Sequence, residues 1–199
     1  NRKNLNLHHA VNITDNFMRA VERNEWWDLK DSNDDTVRET MRARKLWEQI
    51  LEVRYRTGEP YLNFIDTANR ALPQTQKDKG LKIHGSNLCN EIHLPTSDDR
   101  TAVCCLSSVN VELFEDWKSS TMIADLIRFL DNVLQFFIDN APDEISRARF
   151  SAEQERSLGL GAMGWHSFLN RKRIPFDSSQ ADVWNAVVFQ YIQKQAVEE

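Results

Sequence analysis

Gly85-Ser86-Asn87-Leu88-Cys89-Asn90-Glu91-Ile92-His93-Leu94-Pro95 is short, mixed in polarity and closed by a proline. Such a stretch predicts an extended segment and not a helix. Side chains alternate along an extended backbone, so Asn87, Cys89 and Glu91 fall on one face and Leu88, Asn90 and Ile92 on the other. Adjacent members of the first row stand about 7 Å apart by strand rise. An amide, a thiol and a carboxylate are thereby offered to one small molecule: a hydrogen-bonding group, a sulfur and a base. A lone cysteine in a strand also serves as a small buried hydrophobe, and spacing alone does not separate the two uses.

The surrounding chain sets the bounds. Its 199 residues can bury one substantial core. Hydrophobic content of 41% and charged content of 28% are those of an ordinary globular protein. A net charge of −5 argues against a nucleic-acid groove or a basic membrane patch. No apolar run approaches the roughly 18 residues of a membrane span. Three cysteines, two of them adjacent, make no disulfide scaffold and fit a reducing, cytoplasmic setting. The chain starts at Asn1 close to a strand pattern and stops at Glu199 inside a helix pattern, as a piece of a larger domain would.

Upstream of the stretch, Leu5, Leu7, His9, Val11 and Ile13 alternate with polar or small residues and predict a strand. Thr14-Asp15 caps a short helix to about Arg23. Neighbours in a strand face opposite sides, so the His8-His9 pair is not expected to chelate a metal. After the apolar island Trp26 to Leu29 and a polar turn at 31–35, Thr36-x-x-Glu39 is a capping box. It predicts a helix to about Arg56 with Val37, Met41, Trp47, Ile50, Leu51 and Tyr55 as its apolar stripe, stopped by Gly58 and Pro60. Pro60 to Asp66 predicts a strand leading to Asn69, and Pro73 to Gly85 a polar loop in which His84 is a loop residue.

Downstream, the β-branched segment 103–111 predicts a strand. Ser119-Ser120 is expected to cap a helix with Met122, Ile123, Leu126, Ile127, Leu130, Val133, Leu134 and Phe137 on one face, ended at Pro142. Gly159-x-Gly161-x-x-Gly164 spells a dinucleotide fingerprint, but that pattern needs a βαβ unit of roughly thirty residues. Too little chain follows, and a helix capped at Ser178 uses most of it. Alternating strands and helices indicate an α/β layer structure.

Ser86-Asn87-Leu88-Cys89-x-Glu91-Ile92 followed by Leu94-Pro95 resembles the finger-loop signature of the large, catalytic subunit of class I ribonucleotide reductase. Ala102-Val103-Cys104-Cys105-Leu106-Ser107-Ser108 resembles that family's second cysteine segment, and two motifs in the right order are more specific than either alone. The resemblance implies part of a ten-stranded α/β barrel with a central finger loop at about 85–95. Residues 1–199 would then be a fragment of a single catalytic barrel domain whose upstream and downstream parts lie elsewhere. The glycine-rich run resembles a strand-to-helix junction in which glycines allow the strand to pack closely on the helix. Asn1-Arg2-Lys3 loosely resembles the end of the loop that relays effector identity to the substrate.

The function implied is that of a ribonucleoside-diphosphate reductase catalytic subunit, thiyl-radical reduction of ribonucleotides to deoxyribonucleotides for DNA synthesis, with the sequence itself not separating diphosphate from triphosphate substrates. Removing an unactivated 2′-hydroxyl is difficult by two-electron routes, which makes radical chemistry the natural solution. By resemblance, Cys89 is the transient thiyl site, Glu91 the general base on the 3′-hydroxyl and Asn87 the amide that orients substrate hydroxyls. Ser86, Asn87 and Glu91 form the substrate-binding set. Cys104 is one member of the redox pair oxidised to a disulfide in each turnover, and Cys105, where the family usually has another residue, is a bystander. No cofactor or metal would be bound directly. A metal-containing small (beta) subunit would supply the radical, and thioredoxin or glutaredoxin the reducing equivalents. ATP and other nucleotide effectors would act allosterically at sites mostly outside this chain, and a companion polypeptide could complete the barrel.

Departures from the family pattern limit this. The second redox cysteine should lie upstream of Asn1, and a strained vicinal Cys104–Cys105 bridge is a poor substitute. Paired relay tyrosines are absent, since Tyr55, Tyr61 and Tyr191 are the only tyrosines. The phosphate-binding segment and the shuttle cysteines should lie beyond Glu199, so the isolated chain is expected to turn over no substrate. Cobalamin-dependent relatives read Asn-Pro-Cys-Gly-Glu in this region, whereas Leu88 and Asn90 favour the two-subunit type. Two further readings stand beside these: a structural zinc site from Cys89, His93, Cys104 and Cys105, and a non-catalytic effector-binding or assembly fragment.

Overall fold

Thr14 begins the first helix as expected. In the computed structural model, which describes residues 7–199, its hydroxyl oxygen accepts the Phe17 N–H at 3.1 Å. Helix α1 (Asp15–Arg23) follows strand β1 (Ala10–Ile13) and ends where Asn24 turns left-handed at φ 53°. The expected strand is therefore shorter than its alternating pattern. Leu5 and the segment Asn1-Arg2-Lys3 lie outside the described residues.

The capping box at Thr36 does not open a helix. Residues Val37–Arg42 form strand β3, paired antiparallel with β2 (Trp26–Lys30), and helix α2 (Ala43–Thr57) starts only after them. Cross-strand side-chain pairs favour the strand. Thr40 donates to Asp28 at 2.6 Å, and the Arg42 guanidinium lies 4.2 Å over the Trp26 ring. The turn between the strands is closed by aspartates. Asp31 accepts the Asn33 N–H, and Asp34 accepts the Thr36 N–H. The Asn33 N–H and then Arg38 hold the Asp31 carboxyl below its ordinary range, and the Thr36 hydroxyl and then the Thr36 N–H do the same for Asp34. Gly58, at φ 78°, ends α2 as read from the sequence. Of the expected apolar stripe on α2, Leu51 and Tyr55 are exposed.

Strand β4 (Tyr61–Phe64) runs parallel to β1, with Ala10 opposite Tyr61 and Asn12 opposite Asn63. It passes directly into helix α3 (Ile65–Ala71), so the expected strand ends at Phe64 and Asn69 sits on a helix. The segment read as loop contains a short helix, α4 (Gln74–Asp78). Ile13, Phe17, Ala20, Val21 and Ala43 form the core here, flanked by Trp27 and Trp47. These elements belong to one of two compact units, Asn1–Asp98.

The second unit, Asp99–Glu199, is built on strands β5 (Cys105–Asn110) and β6 (Leu158–Met163), which pair in parallel. Between them lie α5 (Phe114–Trp117), α6 (Met122–Asn140) and α7 (Ser146–Glu155). Helices α8 (Trp165–Arg171) and α9 (Ser179–Glu198) follow, the latter capped by Ser178 as expected. The α6 cap position is Thr121, whose side chain makes no capping bond, while Ser120 accepts the Met122 N–H. Ile123, Leu130, Leu134 and Ile138 are the buried face of α6, whereas Met122 and Val133 are exposed. The largest core cluster joins Val109, Val111, Phe114, Trp117, Phe168 and Val188, with Phe114 and Trp117 edge to face at 5.1 Å.

The glycine-rich run is explained by neighbours on β5. Gly159 and Gly161 lie within β6, opposite Leu106 and Ser108. A Cβ at Gly161 would come within 3.0 Å of the Ser108 hydroxyl. Gly164, at φ 79°, would push a Cβ into Asn110 Oδ1. The run is a strand-to-helix junction as expected, with close approach to β5 at Gly159 and Gly161 and, at Gly164, to the end of β5 and the Glu112 N–H beyond it. The described strands form three two-stranded pairs, so the α/β class holds while no barrel closes within these residues.

Candidate active site

The 85–95 stretch is not extended. Asn90 N–H donates to the Asn87 carbonyl at 3.2 Å, which folds 87–90 into a turn, and Asn87 N–H donates to the Ile92 carbonyl at 3.2 Å. Asn90 takes φ 63°, a left-handed conformation that asparagine tolerates better than most residues. The Asn87 side chain closes the loop from inside. Its Oδ1 accepts from the Glu91 and Ile92 N–H groups at 3.1 and 3.0 Å, and its Nδ2 donates to Glu91 Oε1 at 2.5 Å. Alternation therefore does not place these residues on one face. Asn87 and Glu91 meet across a turn.

Cys89 occupies the third position of that turn as an exposed, free thiol. Ser86 is half-buried, and its hydroxyl contacts the Asn87 carbonyl and Asn90 Oδ1 at 3.1 and 2.7 Å. A cavity of about 320 Å³ is lined by His8, His9, Ala10, Asn12, Asn63, Gly85, Ser86, Asn87 and Leu88. The structure thus brings Ser86, Asn87 and Glu91 together around the cysteine loop.

His8 and His9 lie before β1, so strand alternation does not separate them. Both Nδ1 atoms reach the Glu59 carboxylate, at 2.8 and 3.3 Å. Among the described residues, no three His, Cys, Asp or Glu side chains are grouped to hold a metal ion. His93 contacts Asn63 Oδ1 through Nε2 at 2.8 Å. These observations count against the zinc reading. As expected, His84 is a loop residue, with Nδ1 2.9 Å from the Thr96 carbonyl.

In the second unit, Cys104 immediately precedes β5 and Cys105 begins it. Both are free and half-buried. Burial pushes the Cys104 thiol above its ordinary range, and the neighbouring Cys105 adds to the rise. Cys105 is raised by burial alone and packs beside Leu134, Ile138 and Ala152.

Sequence reading missed Asn12, Asn63 and Asn69. Asn63 is 3% exposed, and its Nδ2 donates to Asn12 Oδ1 at 2.8 Å. Asn69 pins the approach to the loop by accepting from Ile83 N–H and donating to the Ile83 carbonyl, each at 2.9 Å. The available signal was Asn63 inside the otherwise apolar run Tyr61–Ile65, since a buried amide needs partners, whereas Asn12 was one polar residue of an alternating pattern.

The family model for the ribonucleotide reductase barrel domain matches residues 1–199. The chain belongs to the ribonucleotide reductase family. A protein of Frog virus 3 (isolate Goorha) provisionally named ribonucleoside-diphosphate reductase large subunit is 60% identical, over 99% of this chain and 35% of its own length. The ribonucleoside-diphosphate reductase large subunit of Invertebrate iridescent virus 3 is 49% identical, over 83% of this chain and 26% of its own. Among solved structures, the class Id ribonucleotide reductase alpha subunit of Actinobacillus ureae superposes with a TM-score of 0.83 at 36% identity. That match covers 96% of this chain and 34% of the other. The chain therefore spans about a third or less of these reductase subunits. No described helix is long and apolar enough to cross a membrane.

Proposed function

We propose that this chain carries the radical-bearing loop of a class I ribonucleoside-diphosphate reductase large subunit, with its two units as parts of one catalytic barrel domain. The observation that carries this reading is the turn in which Asn87 holds the Glu91 carboxylate while the free Cys89 thiol stands exposed between them. The likeness to a class I alpha subunit supports the two-subunit type over a cobalamin-dependent one.

In this reading a thiyl radical at Cys89 takes the hydrogen atom from C3′ of the ribose, forming S–H as the C–H bond breaks. Glu91 accepts the 3′-hydroxyl proton, which requires hydrogen-bond reach in the substrate complex. Asn87 and Ser86 orient the sugar hydroxyls, and substrate would compete with the internal bonds these side chains make in the free turn. Cys104 supplies electrons at the 2′ position with a second cysteine outside this chain, the pair closing to a disulfide. A thiol of ordinary pKa is protonated and able to deliver hydrogen at neutral pH, and burial of Cys104 shifts it further in that direction. A metal-containing small subunit generates the radical, thioredoxin or glutaredoxin restores the dithiol, and nucleotide effectors act from elsewhere in the subunit. The setting is the cytoplasm, where thiols stay reduced.

The test is Cys89→Ser in the full-length large subunit that contains this chain, assayed with its small subunit for deoxyribonucleotide formation. The expected result is no product above background with the protein still folded. Unchanged turnover would refute the reading and favour an assembly or effector-binding role.

A further inference from the structure

A directional chain of amides ties both arms of the cysteine loop to the β1–β4 pair. It begins at the His84 carbonyl, on the arm entering the loop. A carbonyl only accepts, so the Asn12 group facing it at 2.9 Å is Nδ2. Asn12 Oδ1 then faces Asn63, whose Nδ2 donates to it at 2.8 Å. Asn63 Oδ1 is left for His93, on the arm leaving the loop, with Nε2 2.8 Å away. That oxygen can only accept, so His93 carries its proton on Nε2. One carbonyl fixes the orientation of both amides and the donor nitrogen of the histidine.

The arrangement ties the two arms of the loop to one point of the scaffold. Asn12 and Asn63 are opposite each other in the parallel register, and Asn63 is buried. His84 lies three residues before Asn87, and His93 two residues after Glu91. Asn90 adds a third tie, from Nδ2 to the Leu62 carbonyl at 3.4 Å, one residue along β4. The loop tip itself is exposed, so its position depends on these anchors and not on packing.

We propose that His93, acting through Asn63 and Asn12, is a positioning residue for the Cys89 loop: its Nε2–H sets where the thiol and the Glu91 carboxylate stand relative to the sugar. This rests on the reading of Asn87, Cys89 and Glu91 given above. A displacement of about 1 Å at reacting groups costs on the order of 10²-fold in rate, so losing the anchor should act on kcat and leave nucleotide affinity nearly unchanged.

The experiment compares His93→Ala, His93→Gln and Cys89→Ser in the full-length large subunit with its small subunit, measuring kcat, KM and thermal melting. The glutamine amide places a donor near the histidine Nε2 position and cannot titrate. His93→Ala should lower kcat about 10- to 100-fold with KM within about threefold, and His93→Gln should recover most of the loss. A His93→Ala enzyme with wild-type kcat overturns the proposal. So does a glutamine variant no better than alanine, or a loss that only follows the unfolded fraction. Inert Cys89→Ser beside fully active His93→Ala sinks the positioning role alone. Turnover by Cys89→Ser sinks the underlying reading, and the proposal with it.

Discussion

Gly164→Ala tests what the glycines at 159–164 are for. Gly164 sits at φ 79° before α8, where the Cβ of an L-residue crowds the following carbonyl at a cost of about 1–2 kcal/mol. The added Cβ would also overlap Asn110 Oδ1, which accepts the Glu112 N–H at 3.1 Å. Displacing that oxygen removes a cap worth about 1 kcal/mol. The expected loss is therefore about 2–3 kcal/mol. Gly159→Ala is the control. Its Cβ would collide only with the far end of Leu106, a side chain 54% exposed and free to swing outward, so the loss should stay below about 1 kcal/mol. Urea unfolding followed by tryptophan fluorescence reads both, as a lower midpoint at constant slope. In an Asn110→Ala background the Gly164→Ala cost should shrink to the backbone part, about 1–2 kcal/mol. Gly164→Ala no worse than Gly159→Ala would refute the reasoning. A dinucleotide site would instead lose ligand affinity with stability unchanged.

Iodoacetamide should label Cys89 first, with Cys104 and Cys105 slower until denaturant removes the difference; equal rates in the folded chain would contradict the burial described here. Because both of these thiols have raised pKa values in the folded state, their contribution to stability is complete below the ordinary thiol value of 9.0. It is lost as pH rises through the folded values, and unfolding midpoints that climb on alkaline titration would show the sign to be wrong. Asn87→Ala removes the Oδ1 that accepts the Glu91 and Ile92 N–H groups and the Nδ2 that donates to Glu91. In the full-length enzyme it should cut turnover by roughly 10²-fold, and a rate within threefold of wild type would contradict that. Arg100→Ala leaves Glu155, 6% exposed, without the guanidinium at 2.9 Å. Breaking such a buried pair costs about 3–5 kcal/mol, and a change in unfolding free energy under about 1 kcal/mol would show that the pair is not desolvated.

What could be read from sequence was local. Thr14, Gly58 and Ser178 mark helix ends because each acts on backbone groups within a few residues of itself. Thr36 and Glu39 misled because the partners of this segment lie across a hairpin, Leu29 opposite Glu39 and Asp28 opposite Thr40, where pairing outweighs a capping box. At the site, residue types were legible and their geometry was not. Two asparagines flanking Cys89 favour a turn, and an Asn87 side chain reaching the N–H groups four and five residues on leaves no extended strand. Asn12 and Asn63 could not be connected to the loop without the register of β1 on β4.

That register has a consequence for how the chain folds. Residues paired between β1 and β4, such as Ala10 and Tyr61, are separated by the whole β2–β3 hairpin and α2. The hairpin closes over a short turn and can form in microseconds, whereas the parallel pair must first pay the entropy of a long loop. On a ribosome, β1 cannot pair with β4 until β4 has been synthesised. The two asparagines that hold the cysteine loop come together only once both strands exist, so the thiol is aimed after the hairpin has had time to form.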